Sequence, residues 1–227
     1  MKTSASSGSP GEPGPTALEK CVSKTPDTPL DQAGVAEHNV PSDTIGLRQL
    51  TGVTLLCIHS LQPADALNAA LAAHDLALPA KVNHSLGQDP VALCLAPREW
   101  WLFSEFLSFD RLAQSILPAI DSQLTAVLDF SAAAAVFRIS GSGAPHLLNK
   151  LSGLDFHSGT AGGAHCARTR LQHAAATLHY HRPGGQAHEF VFDLIIDRSL
   201  ALYAWQLLTA SIPHAEELTR MNRNTSR

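Results

Sequence analysis

The segment "ATLHYH" (176–181) sets His179 and His181 two positions apart in a stretch that reads as a β-strand. Alternate strand residues leave the same face, so both imidazoles point one way, and such a pair can ligate zinc once further ligands join. His173 or Glu189, on neighbouring strands, would have to supply the third ligand. No loop carries a matching ligand cluster, and a solvated or interface strand face explains the pair more simply, so no metal is expected. In "CARTRL" (166–171), Arg168 and Arg170 also share a face, with Ala167, Thr169 and Leu171 on the other. Two guanidinium forks about 7 Å apart suit a carboxylate or phosphate, such as the glutamate tail of a folate. Salt bridges at a surface or interface explain them more simply.

Other arrangements fall short of a catalytic set. "ISGSGAPHLL" (139–148) runs strand, Gly-x-Gly, helix, as a dinucleotide fingerprint does. His146 stands where the third glycine belongs, and no acidic residue follows about twenty positions on at a strand end. Gly141 and Gly143 therefore read as a tight turn, with Pro145 in the first helical turn. Cys166 follows His165, but adjacent strand side chains face opposite ways, so that imidazole is badly placed to activate the thiol. Asp129 and Asp193 lie at or within strands with no evident acid–base partner. No G-x-S-x-G elbow is present. The chain reads as non-catalytic on its own, with no cofactor of its own.

The elements that must hold these residues repeat a pattern. Strands are expected at 52–60, 91–96, 99–104 and 124–130, with helices at 63–74 and 108–120. A second set follows: strands at 134–140, 166–171, 176–181 and 189–196, and helices at 144–153 and 199–212. The expected class is α+β, built from duplicated βαββαβ (ferredoxin-like) units with antiparallel or mixed sheets and helices packed on them. The units span 46–131 and 132–213. Residues 1–45, rich in Ser, Gly, Pro and Thr, read as a disordered or extended tail, and 214–227 as a flexible C-terminus.

Composition narrows the function classes. A formal charge of -4 leaves no basic footprint for nucleic acid. Hydrophobic residues reach 44% and charged residues only 16%, yet no apolar run is long enough to span a membrane and no signal-peptide pattern opens the chain. Cys21, Cys57, Cys94 and Cys166 are scattered without a C-x-x-C pair, which fits a reduced, cytoplasmic protein.

Apolar strand surface is in surplus. "EWWLFS" places Trp100 and Trp101 on opposite faces, and "EFVFDLII" adds Val191 and Ile195 behind a face of Phe190, Phe192, Leu194 and Ile196. A sheet with helices on one side only should be polar on the other. The second face must be covered by the other half of the chain or by another protein. Trp100, Trp101, Val191 and Ile195 are the candidates for a partner interface.

Three blocks carry a likeness: "VFRISGSGAPHLLNKLSGLDFH", "CARTRLQHAAATLHYHR" and "HEFVFDLIIDRSLALYAWQLL", with "LAPREWWLFSE" upstream. Together, over about residues 50–213, they resemble the gamma subunit family of heterotetrameric sarcosine oxidase. That family is similar to the folate-binding aminomethyltransferase domain of the glycine cleavage system. The resemblance implies alpha, beta and delta partner subunits. It also implies a complex holding FAD, FMN, NAD and tetrahydrofolate that converts sarcosine to glycine, passing the methyl carbon to tetrahydrofolate and forming peroxide. Gamma itself would carry neither flavin nor catalytic residue. A stand-alone folate-binding protein and a subunit of a related N-methyl amino acid dehydrogenase are the alternatives.

Overall fold

Two sets of apolar strand sequence close into two separate antiparallel sheets. The computed structural model describes residues 44–156, 165–181 and 190–225, all within the unit Val35–Arg227. One sheet contains β2 (Thr54–Ser60), β3 (Ser85–Leu86), β4 (Val91–Ala96), β5 (Glu99–Ser104) and β6 (Thr125–Asp129), in the order β3-β4-β5-β2-β6. The other contains β1 (Gly46–Leu50), β7 (Ala134–Ser140), β8 (Cys166–Leu171), β9 (Ala174–His181) and β10 (Val191–Asp197), in the order β1-β7-β10-β9-β8. The helices are α1 (Ala64–Leu71), α2 (Phe109–Ile116), α3 (Ala144–Leu151) and α4 (Ala201–Thr225). The architecture is α+β. Among the described residues, no helix is long and apolar enough to cross a membrane.

Each sheet is covered twice, which accounts for strands that are apolar on both faces. On the outer side of the first sheet, Leu56, Ile58, Ala92, Cys94, Trp100 and Leu102 pack against Leu67 and Leu71 of α1 and Leu112 and Ile116 of α2. On its inner side, Leu55, Val91, Leu93, Leu95 and Phe103 meet Leu50, Val136, Cys166 and Ile195 of the second sheet. The two sheets therefore stack face to face over a shared apolar layer. Burying each such side chain contributes about 1.5–3 kcal/mol, so this layer is a principal source of cohesion.

Two features differ from the sequence reading. β1 opens the segment assigned to the first unit, yet it pairs with β7 in the second sheet, Gly46 opposite Ser140 and Leu50 opposite Val136. The last helix does not stop at 212. It continues through Pro213 to Thr225, because Ala204, Leu208, Ile212, Ala215 and Thr219 form one buried stripe across the proline. The glycine turn, by contrast, is structural as read: Gly141 has a φ of +100°, and a Cβ there would lie 2.4 Å from the Thr44 carbonyl oxygen. At Gly143 a Cβ would meet the Ile45 side chain at 2.7 Å.

Substitution Gly141→Ala is expected to cost about 2 kcal/mol or more, from left-handed backbone strain and from displacement of Thr44. Urea unfolding of the variant beside the parent chain measures it.

Candidate functional site: a polar row between the sheets

Strand register decides which side chains meet. Residues directly opposite in an antiparallel sheet share a face, and Cys166, His179, Asp193, Arg138 and Arg48 stand opposite one another in turn across β8, β9, β10, β7 and β1. The neighbouring row on that face, Arg168, Thr177, Ile195, Val136 and Leu50, feeds the apolar layer. The polar row therefore lies on the inner face of the second sheet, beside the point where apolar contact between the sheets ends.

Asp193 is its centre, with no exposed surface at all. Arg138 holds the carboxylate with both ends of its fork, Nε to Oδ1 at 2.7 Å and Nη2 to Oδ2 at 2.8 Å. His181 Nε2 lies 2.5 Å from the same Oδ2, and the His181 and His179 rings are 4.4 Å apart. Arg138 also reaches the first sheet, where its Nη2 is 2.6 Å from Glu105 Oε1. Glu105 is presented by the turn after β5. There Asp89 accepts from the Ser104 hydroxyl and the Glu105 N–H at 2.9 and 2.8 Å, and Ser104 Oγ accepts from the N–H of Leu107 at 2.8 Å.

Charge and burial set the protonation states. Burial alone would raise the Asp193 carboxyl, but hydrogen bonds from Arg138 and His181 bring it down to about 2. Burial likewise opposes the Arg138 charge, yet the Asp193 and Glu105 carboxylates outweigh it and raise its pKa. Burial, reinforced by neighbouring His181, depresses His179 to about 3, so that imidazole is neutral at pH 7. Its Nδ1 is buried without a hydrogen-bond partner. Above this row the sheets part into a cleft of about 960 Å³, lined by His84, His165, His179, His181, Arg138 and Glu105 among others. Leu86 and Phe106 also line it, and Phe106 is 84% exposed.

A second charged contact joins the sheets from the opposite end of β5. Arg168 grips the Glu99 carboxylate with both terminal nitrogens, Nη1 at 2.9 Å, and its guanidinium lies 5.7 Å from the Trp101 ring centroid. Trp101 in turn stacks on Phe130 at 6.2 Å. Cys57, His59 and Glu99 also stand close enough to share a metal ion. Burial with the Glu99 charge, however, raises the Cys57 thiol to about 11, which keeps it protonated at neutral pH. Burial raises Cys166 to about 12, so neither thiol is a ready nucleophile.

With this geometry in hand, comparison with known proteins is informative at the level of structure. No protein-family model matches the chain, and no curated protein matches it in sequence. Among solved structures, a chain of the heterotetrameric sarcosine oxidase from Corynebacterium sp. U-96, in complex with pyrrole 2-carboxylate, matches with a TM-score of 0.64. Identity is 24%, covering 75% of this chain and 85% of that one. The glycine cleavage system aminomethyltransferase T from Bartonella henselae matches with a TM-score of 0.50 at 14% identity, covering 73% of this chain and 45% of that one. The chain shares their fold.

The residues singled out in the sequence fare differently. Trp100 is buried at 2% exposure, its Nε1 donating to the Pro79 carbonyl at 2.8 Å. Ile195 is 3% exposed within the layer between the sheets. Neither presents a surface, because helices cover the first and the opposing sheet covers the second. Trp101 and Val191 are half-buried. Arg168 does clamp a carboxylate, but it is the chain's own Glu99, and Arg170 is exposed one turn of the pleat further along. The third potential ligand beside His179 and His181 is Asp193, which the sequence reading left without a partner. His173 is exposed in the β8–β9 turn, and Glu189 lies outside the described residues. Glu105 and Phe106 were missed altogether. The only sequence signal for them was position, just beyond a strand with no helix yet begun.

The His179 pKa fixes a pH dependence. The native state refuses a proton that the unfolded chain takes up below its ordinary value of 6.5, so stability is lost as pH falls from there toward 3. With a chelator present, unfolding free energy is expected to be about 2 kcal/mol lower at pH 5 than at pH 7 from this group, and His179→Gln should flatten the difference. Asp193 adds a further loss between its ordinary 3.8 and about 2. Asp193→Asn, which leaves Arg138 without its buried counter-charge, is expected to cost about 3–5 kcal/mol in denaturant unfolding at pH 7.

Proposed function

We propose that this chain is a gamma-type subunit of a sarcosine oxidase-type complex, with a structural and assembly role. The supporting observation is coverage. The match takes in 85% of a sarcosine oxidase chain shorter than this one, but under half of aminomethyltransferase T. The likeness thus runs nearly end to end along one subunit. Arg138, Asp193, His181 and Glu105 are engaged with one another, and the described thiols are protonated, which suits a chain that performs no chemistry alone. Alpha, beta and delta subunits would then carry FAD, FMN, NAD and tetrahydrofolate and the oxidative demethylation of sarcosine. On this reading Trp101, Val191 and the strongly exposed Phe106 face the partner side, large apolar groups being enriched in such contacts.

The same reading takes the two sheets as copies of one ferredoxin-like βαββαβ unit. In support, β2-α1-β3-β4-β5-α2 and β7-α3-β8-β9-β10-α4 follow the same order along the chain. Their sheet orders also agree position by position, with β1 holding the edge place in one sheet that β6 holds in the other.

Affinity capture of the chain from its native host, read by mass spectrometry and by the visible spectrum of the eluate, tests the assignment. Larger co-eluting proteins with flavin absorbance are expected. A lone, colourless chain would count against it. The 960 Å³ cleft favours a second reading, a stand-alone folate-binding protein. In that case tetrahydrofolate at saturating concentration should raise the melting temperature of the purified chain, and no shift would eliminate the idea.

A further inference from the structure

We propose that His179, His181 and Asp193 form a three-ligand site for a divalent transition-metal ion of the zinc class, with an open coordination position facing the cleft between the sheets. Each residue offers one ligand atom, and these atoms lie within 4.8 Å of one another. The two imidazoles come from one strand face, and the carboxylate stands directly opposite His179 on the next strand. Two histidines and one carboxylate make the donor set that zinc and related ions take when a position is kept for water or substrate.

Part of the ligating capacity is left unused within the protein. His179 retains a buried Nδ1 with no hydrogen-bond partner. Asp193 Oδ1 receives only the Arg138 Nε bond and keeps a lone pair, whereas Oδ2 is shared by Arg138 Nη2 and His181 Nε2, the latter a contact the ion would replace. Ligating carboxylates are commonly held in orientation by a hydrogen-bonding neighbour. Arg138 fills that neighbouring role, and Glu105 balances its charge from the first sheet. His179 and His181 line the cleft, which gives the ion a path in and its open position a place to hold a ligand.

The test uses the full purified chain, stripped by chelator and dialysed against Zn2+ alone or Co2+ alone. Expected results are one equivalent of metal by elemental analysis, a raised melting temperature with Zn2+, and a visible ligand-field band with Co2+. His181→Ala removes a partly exposed ligand and should weaken metal binding more than about tenfold. His84→Ala, elsewhere in the same cleft, should leave binding unchanged. No stoichiometric uptake, uptake unaltered in His181→Ala, or equal loss in His84→Ala would each overturn the site. These readouts concern the isolated chain, so they stand or fall independently of whether partner subunits are captured.

Discussion

A guanidinium group between two stacked sheets is held in place by a carboxylate with no exposed surface. Arg138 and Asp193 stand directly opposite in adjacent strands, and Nη2, which bonds Asp193 through one hydrogen, also reaches Glu105 in the other sheet. An apolar layer alone would let the sheets slide, since dispersion and burial have little directional preference. The charged contacts supply direction. Glu105 and Glu99 flank β5 at either end, and each engages an arginine of the opposite sheet. The apolar layer between them supplies the energy, and the two contacts fix the register in which it forms.

That division explains what could be read from the sequence. Runs such as "VALCLA", "EWWLFS", "AAVFRIS" and "CARTRL" matched strands end for end, because apolar strand patterns of that length have few other uses. The split of Trp100 and Trp101 to opposite faces was also legible, since alternation is a property of the strand itself. Long-range pairing was not. β1 is short and half-polar, its partner β7 is distant in sequence, and nothing local says which sheet it joins. β3, two residues long, gives no period to detect.

The candidate site was half legible for the same reason. Two histidines on one strand face announce themselves, but their relation to Asp193 depends on the register of β9 against β10. The Glu105 contact depends on sheet stacking, a step further from the sequence. The Gly-x-Gly turn shows the converse case. Its pattern is close to a ligand fingerprint but reads as a tight turn, and its residues do serve the close approach of Thr44 and Ile45. The surplus apolar surface, too, is largely covered within the chain, by helices on one side of the first sheet and by the opposing sheet on the other.

The most direct test of this account is a double-mutant cycle across the sheets, combining Glu105→Gln with Arg138→Met and measuring unfolding free energy for the four chains. If Arg138 ties the second sheet to the first, the two substitutions should show a coupling of about 1–2 kcal/mol. Effects that simply add, to within about 0.3 kcal/mol, would mean that the sheets are registered by their apolar layer alone and would contradict the account.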